Sequence, residues 1–456
     1  MNKLHPEAVK AFDSAAKELI GNLGWYKPSN IENNNTPLSS DHREFTEIDL
    51  AEFGAIPIIL RSHNIDTGVL NSIIKYIDEG QIGLDGERIE DFNKLVKSIY
   101  KKVDWISYSV LEDRVFEYLV DFYKKKYEKG LSAYLEEWQE KNVRIYQFFF
   151  IVRGISIETP FRVGNTIISY KSNDSFNKIF ETIKVVPQDW QQEMMRRDFN
   201  GNVVITCAID ECEEQKAKEL ALETSIRSVD AIKLFSDVLT FPSRSVRFDL
   251  EHRFVETGRK SNMLILSLDL ETKEPYSVRM GLESEQPSSS FTINAKGIEQ
   301  MARQGFAYIH ELLIKKDKKL TVELEELVLE NISRFADSLS QSDLHKRIAQ
   351  VFTGLESLTL KNSEVGILES MKKYLPKILT KDTEQREQIQ KDLSDLYKVR
   401  SQYMHHGIKS EIDLQKLRRL QLYLRGAILR YLEMSKDYKD KEGILNAIDD
   451  AINKAF

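Results

Sequence analysis

Strand-like segments are confined to the middle of this 456-residue chain, between about residues 143 and 294. Aromatic and β-branched runs broken by Gly and Pro occur there, as is typical of strands. On both sides, apolar residues recur every three or four positions, which indicates helices. Since one core seldom extends beyond roughly 300 residues, we expect an α+β protein of two or three domains that is predominantly helical.

This pattern divides the chain into three regions. Residues 1–142 are expected to form a mostly helical N-terminal region, with helices at about 6–22 and within 85–139. Residues 143–294 are expected to form a mixed α/β domain. Residues 295–456 are expected to form an all-helical bundle.

The elements of the second and third regions follow from the same periodicities. Strands are expected at 144–158, 164–172, 202–209, 245–252, 262–270, 276–282 and 290–295, with a helix at 211–239. Helices are then expected at about 296–315, 322–339, 343–359, 364–378, 383–406, 411–434 and 441–455.

Composition argues against several classes of protein. The net charge of −7 argues against a chain that coats nucleic acid through its overall field, although a local basic strip still binds phosphates. No apolar run suits a secretory signal or a membrane span, so we expect a cytoplasmic protein. Cys207 and Cys212 do not form a zinc framework, and Cys207 follows an apolar run typical of a core. The cysteine spacing therefore predicts no metal site. Because the sequence has no glycine-rich phosphate loop, we also expect no cofactor.

Arg400 is the first candidate for chemistry. It continues an apolar stripe on the predicted helix 383–406, formed by Ile389, Leu393, Leu396 and Tyr397. An arginine on an apolar face requires a partner or a ligand, because burying an unpaired guanidinium is costly. One interpretation is therefore a structural salt bridge, for which Glu356 is a candidate.

His405 and His406 are the second candidates, since they end the same helix just before Gly407, a predicted C-terminal cap. At about 100° per residue, His405 lies roughly 140° around the helix from Arg400. A regular helix would not bring these two side chains together. Either the last turn is unwound, or a second chain completes the site.

The segment LYKVRSQYMHHG resembles the motif of HEPN domains, in which four to six residues separate an arginine from a histidine. It is most similar to the Apea-like branch, with the pattern Tyr-x-x-Arg-Ser-x-x-x-His-Gly. Upstream, VFTGLESLTL resembles the first-helix pattern of that branch, which ends in Leu-Glu-x-Leu. The resemblance covers about 120 residues, from about 320 to 440. Either His405 or His406 occupies the histidine position, and the distance from the arginine favours His405.

Two other arginine–histidine pairs have a similar spacing. Arg247 and His252 lie in a segment that alternates like a strand, which favours a structural role. Arg303 and His310 are seven residues apart on one predicted helix face, which suits packing. Only the Arg400 motif has the tyrosine before it, the glycine after it and a helical bundle around it.

The resemblance implies a metal-independent endoribonuclease that cleaves RNA phosphodiesters, tRNA among the candidates, and acts as a homodimer or higher homo-oligomer. Ser401 and Glu356 are candidate supporting residues. The next helix carries a candidate strip for the RNA backbone, with a solvated helix face as the alternative. The strip consists of Lys416, Arg418, Arg419 and Arg425.

Proteins that this chain resembles often serve as toxins in anti-phage defence or abortive infection. In them an N-terminal portion precedes the HEPN domain and senses a trigger or restrains the ribonuclease. A phage-derived or cellular trigger is the partner this implies. Two alternatives remain open. The helical domain is a non-catalytic dimerisation or RNA-binding module with a structural Arg400, or it is a toxin switched by nucleotide modification of Tyr397 or Tyr403.

Overall fold

The computed structural model describes most of the chain and divides it into two compact units. The described residues are 5–26, 73–77, 80–84, 87–183, 187–236, 248–251, 253, 260–269, 275–284, 291–361 and 366–453. The first unit is Met1–Val143 with Glu211–Lys216, and the second is Arg144–Asp210 with Ala217–Phe456. The sheet and the helical bundle thus belong to one unit, and their separation into two domains at 294 stays a prediction.

The described part of the first unit is mostly helical but also contains a small three-stranded antiparallel sheet. Its helices are α1 (Pro6–Gly21), α2 (Glu87–Tyr100), α3 (Tyr108–Tyr123) and α4 (Leu131–Asn142), and its strands are β1 (Gly24–Tyr26), β2 (Ile73–Ile77) and β3 (Gly80–Leu84). The sequence did not predict these strands, because runs of three to five residues are too short to show a periodicity. The helices pack around a core that includes Phe92, Phe116 and Leu119.

The second unit begins with the central sheet. Its strands are β4 (Arg144–Arg153), β6 (Phe161–Val163), β7 (Thr166–Tyr170), β8 (Val203–Cys212), β9 (Asp249–Leu250), β10 (Lys260–Leu268) and β11 (Pro275–Ser284). They lie in the order β11-β10-β4-β8-β7-β6, with β9 beside β4. A separate parallel pair is formed by β5 (Ile155–Ile157) and β12 (Phe291–Ile293). The predicted α+β class is therefore confirmed.

Residues Phe148, Phe149 and Phe150 of β4 are all buried and form part of the sheet core. Cys207 on β8 is fully buried too, as predicted, and burial raises the pKa of its thiol to about 12. The structure adds two helices that the sequence pattern did not indicate, α5 (Asn173–Thr182) and α6 (Asp189–Phe199). Both are short and strongly polar, and α6 buries only Met195 and Phe199.

The long helix after β8 is α7 (Glu214–Leu234). From Ala295 onward the described chain is helical, as predicted, through α8 (Ala295–Met301), α9 (Ala307–Asp317), α10 (Glu323–Ser340), α11 (Leu344–Thr359), α12 (Ile367–Leu379), α13 (Thr383–His406), α14 (Leu414–Met434) and α15 (Lys441–Asn453). The single helix expected at 296–315 is wrong, because a π-helical turn at Ala302–Phe306 separates α8 from α9. Gly305 in that turn has φ 102°, which a helix does not accommodate.

Helices α11, α13 and α14 meet in the bundle core. Gly354 of α11 allows α14 to approach closely, since a Cβ there would lie 2.9 Å from Cδ2 of Leu424. The hydroxyl of Tyr431 on α14 donates to the carbonyl of Leu358 on α11. Phe352 and Leu396 fill the space between α11 and α13, and neither is more than 2% exposed. This packing fixes the faces that carry Glu356 and Arg400.

Candidate functional site

Arg400 on α13 faces Glu356 on α11. Nη2 of Arg400 lies 3.2 Å from Oε1 of Glu356, and the two side chains are 16% and 15% exposed. The guanidinium also lies 5.4 Å from the ring centroid of Tyr397, whose ring meets Phe352 edge-on at 5.5 Å. The structure thus contains the Arg400–Glu356 ion pair that the sequence suggested. A cation–π contact with Tyr397 also holds the guanidinium.

Two polar atoms of the Arg400–Glu356 ion pair make no hydrogen bond with any residue that the structure describes. Among the described residues, Nε of Arg400 and Oε1 of Glu356 are buried without a hydrogen-bond partner, so the contact at Oε1 is electrostatic rather than an aligned hydrogen bond. Burial raises the pKa of Glu356, and the neighbouring charge of Arg400 offsets this only in part. The ion pair with Glu356 therefore leaves Nε of Arg400 without a partner in the described part of the chain, while 16% of the arginine side chain stays exposed.

The end of α13 is a regular helix that includes His405 and His406. Gly407 caps it with φ 67°, and the amides of Gly407 and Ile408 donate to Tyr403 O at 3.0 Å and Gln402 O at 3.2 Å. The predicted glycine cap is confirmed. The alternative of an unwound last turn is wrong, because the cap satisfies the terminal carbonyls while the helix stays intact.

Both histidines are exposed, and their ring centroids lie 6.4 Å apart. Within the described part of the chain, neither imidazole makes a hydrogen bond or an ion pair. A helical separation of roughly 140° keeps His405 away from Arg400 in one chain. Nearby, Met404 and Ile408 are 55% and 53% exposed, so apolar surface surrounds the histidines.

Ser401 is half-buried in the turn that follows Arg400. No side-chain hydrogen bond of this serine is found among the residues that the structure describes. Its place on α13 puts it beside the arginine, and its supporting role stays a prediction.

The basic residues of α14 lie on two different faces. Lys416 pairs with Asp395 at 2.7 Å, and Arg419 pairs with Asp392, both on α13. The alternative of a solvated helix face does not describe these two cations either, because both pair with aspartates of α13. Sequence reasoning missed them because aspartates at 392 and 395 acquire meaning only once α14 is known to lie against α13.

Arg425 lies on the other face of α14. Its guanidinium is 5.2 Å from the ring centroid of Phe235, and Nη2 donates to Gln304. Arg418 is half-buried, and its Nε has no hydrogen-bond partner in the described ranges. The four cations therefore do not form one continuous strip, and RNA binding by any of them stays a prediction.

Of the other two arginine–histidine pairs, the structure describes Arg303 and His310, and it does not bring them together. Arg303 is exposed and pairs with Glu299, whereas Nδ1 of His310 accepts from the amide of Gly164 at 3.1 Å. Arg303 lies within the π-helical turn and His310 lies on α9 beyond it, so they do not share one regular helix face. Arg247 and His252 lie outside the described residues.

Three residues near the motif were not singled out from sequence. Asp343 caps the N-terminus of α11, His345 lies in its first turn, and Ser410 lies in the segment after α13. An aspartate before a helical stripe is a sequence signal for a cap and would have located Asp343. Nothing in the sequence pattern indicates that His345 reaches residue 410.

The described residues contain no group of three or more His, Cys, Asp or Glu side chains arranged to hold a metal ion. None of the helices within the described ranges has the length and apolar character needed to cross a membrane. Comparison of the chain with protein-family models, curated proteins and solved structures finds no match.

Proposed function

We propose that this chain is an endoribonuclease of the HEPN type, in which Arg400 of one copy and His405 of a second copy act on one RNA phosphodiester. The observation that supports it most is the state of the two residues. Arg400 is held in the bundle by Glu356 with part of its side chain exposed, while His405 is exposed at a regular, capped helix end.

The proposed reaction needs a base, an acid and a cation at the phosphate. The imidazole of His405 takes the proton of the ribose 2′-hydroxyl as that oxygen attacks phosphorus. The bond to the 5′-oxygen breaks, and this oxygen receives a proton from an imidazolium or from water. The guanidinium of Arg400 binds the phosphate oxygens, on which negative charge grows in the transition state. The products are a 2′,3′-cyclic phosphate and a 5′-hydroxyl, and no metal takes part.

Two copies are required in this proposal because α13 is regular. A separation of roughly 140° within one helix places the arginine and the histidine on different faces. A two-fold axis near the helix end would bring each His405 to the Arg400 of the other copy. The exposed Met404 and Ile408 supply apolar area for such a contact.

Glu356 holds Arg400 in position in this proposal rather than reacting. Its carboxylate orients the guanidinium from α11, and the face of Tyr397 supports it from α13. RNA, with tRNA among the candidates, is the substrate. The regions that precede the bundle in the chain restrain the enzyme until a phage-derived or cellular trigger releases it in the cytoplasm, in anti-phage defence or abortive infection.

The test is cleavage of total RNA and of tRNA by the purified full chain in EDTA, with analysis of the product termini. Arg400→Ala and His405→Ala are compared with His406→Ala and with Arg334→Ala, an arginine of α10 paired to Glu330. The proposal expects cyclic phosphate ends from the wild type and from Arg334→Ala, and none from Arg400→Ala or His405→Ala. His406→Ala either retains or loses cleavage under this proposal. Cleavage that persists in both Arg400→Ala and His405→Ala contradicts it.

The second candidate is a non-catalytic module that dimerises or binds RNA, and the Arg400–Glu356 ion pair favours it. A buried arginine with an acidic partner is stable without any ligand. In that case Arg400→Ala lowers the stability of the fold while RNA binding persists and cleavage is absent from every variant.

A further inference from the structure

The last turn of α13 is exposed, yet residues that follow it are held by a different helix. His405 and His406 have no hydrogen bond or ion pair of their own within the described residues. An exposed final turn frays unless something beyond it is anchored. The segment 407–413, which joins α13 to α14, therefore decides how firmly the histidines are held.

The first anchor on this segment is Asp343, the N-cap residue of α11. Its carboxylate accepts from the backbone amides of His345 and Lys346 and from Nζ of Lys409 at 2.7 Å. The hydrogen bond from Lys409, together with the two amides, lowers the pKa of Asp343 to about 2. This carboxylate thus caps α11 and also binds the segment 407–413.

The second anchor is His345, whose side chain is 11% exposed. Its Nε2 lies 2.9 Å from the carbonyl oxygen of Ser410. A carbonyl oxygen only accepts, so Nε2 carries the hydrogen. Nδ1 faces Oδ1 of Asp343 at 3.6 Å, and the ring packs on Tyr403 with centroids 5.3 Å apart.

Helix α13 itself supplies the third contact. The hydroxyl of Ser410 donates to the side-chain oxygen of Gln402, one turn before the helix end. The imidazole of His345 therefore lies between Tyr403 in the last turn and Ser410 beyond it, and it contacts both. The side chain of His345 on α11 thus contacts the chain both before and after His405 and His406.

We propose that His345, supported by Asp343, is a positioning residue that fixes the capped end of α13 and thereby the direction of the His405 and His406 imidazoles. The part concerning catalysis rests on the proposed function. His345 acts through the segment 407–413, and it does not touch the RNA. Loss of its hydrogen bond leaves the bundle folded but lets the last turn of α13 open.

The test separates the donor from the ring. His345→Phe keeps an aromatic ring against Tyr403 and removes the donor, whereas His345→Gln keeps an N–H donor at a similar reach and removes the ring. Lys346→Met, an exposed residue in the same turn, is the matched control. Hydrogen–deuterium exchange is measured on the full chain at the amides of Gly407 and Ile408, which donate to the carbonyls of Tyr403 and Gln402, beside kcat and KM for RNA cleavage.

We expect exchange of these two amides to be about tenfold faster in His345→Phe, with unchanged exchange in the cores of α11 and α14. Cleavage by this variant should have a reduced kcat and an unchanged KM, and His345→Gln should restore both readouts. Wild-type exchange of the two amides in His345→Phe overturns the inference, and so does faster exchange across the whole bundle. Absence of cleavage by the wild type concerns the proposed function and its trigger alone, because the exchange measurement decides the role of His345.

Discussion

Arg419 binds the carboxylate of Asp392 through two hydrogen bonds, from Nε to Oδ2 at 2.6 Å and from Nη2 to Oδ1 at 2.9 Å. The hydroxyl of Tyr423 donates to the same carboxylate at 2.9 Å, and the Asp392 side chain is fully buried. Burial raises the pKa of Asp392, but these hydrogen bonds outweigh it and lower the pKa below its ordinary value. The pair fastens α13 to α14 about two turns before Arg400.

Asp392→Asn should lower the free energy of unfolding by about 2 kcal/mol, because hydrogen bonds to a charged group are among the stronger ones. Urea unfolding at neutral pH measures the change. Asp395→Asn is the control, since Asp395 forms a more exposed pair with Lys416 and should cost under about 1 kcal/mol. Equal losses in the two variants would contradict the role given to Asp392.

The same pair has a signed dependence on pH. Because the pKa of Asp392 is lower in the folded state, its stabilisation is present above the ordinary aspartate pKa of about 3.9 and is lost as the pH falls through the folded-state value. The gap in unfolding free energy between wild type and Asp392→Asn should therefore be constant near neutrality and shrink below about pH 4. A gap that widens on acidification would show the opposite sign of the pKa shift.

Lys233 on α7 is fully buried, and its Nζ lies 2.5 Å from the Asp249 carboxylate and 3.1 Å from Oγ of Ser340. Lys233→Met should lower the free energy of unfolding by about 3 kcal/mol, since it leaves the buried Asp249 carboxylate with the amide of Leu250 and the more distant cation of Arg253. Thermal or urea unfolding measures it. Lys233→Met with Asp249→Leu should recover part of the loss, whereas a strictly additive double variant would contradict the coupling.

Gly407 has φ 67°, and a Cβ added there would meet no atom within 4 Å. Gly407→Ala should therefore lower the free energy of unfolding by about 1 kcal/mol through backbone strain alone. Gly407→Asn should cost less, since asparagine tolerates this conformation better. Gly21→Ala adds the same methyl group in open space without a positive φ. A loss in Gly21→Ala equal to that in Gly407→Ala would contradict the explanation.

The helical C-terminal region could be predicted from sequence because long amphipathic helices repeat their pattern over several turns. Helix α13 begins and ends where its periodicity and its glycine cap indicate. The turn at Gly305 could not be predicted, since one glycine in a helical pattern is usually tolerated. The strands of the first unit are too short to show alternation.

For the candidate site, the pairing of Arg400 with Glu356 could be anticipated because the arginine continues an apolar stripe. The pairing of Arg419 with Asp392 and the contact of His345 with Ser410 could not. The first contact joins residues 27 positions apart and the second joins residues 65 positions apart. Both depend on how α11, α13 and α14 pack. Sequence periodicity reports the face of a helix but not the partner of that face.

The proposed function requires that Arg400 and His405 act from different copies of the chain. The most direct measurement mixes Arg400→Ala with His405→Ala under conditions that exchange subunits, and follows RNA cleavage. In the mixed dimer, one of the two composite sites has both its arginine and its histidine.

An equal mixture should recover about a quarter of the wild-type activity, since half of the dimers are mixed and each has one intact site. Each variant alone should be inactive. A mixture as inactive as the separate variants, beside an active wild type and verified subunit exchange, would contradict the claim that the site is shared between two copies.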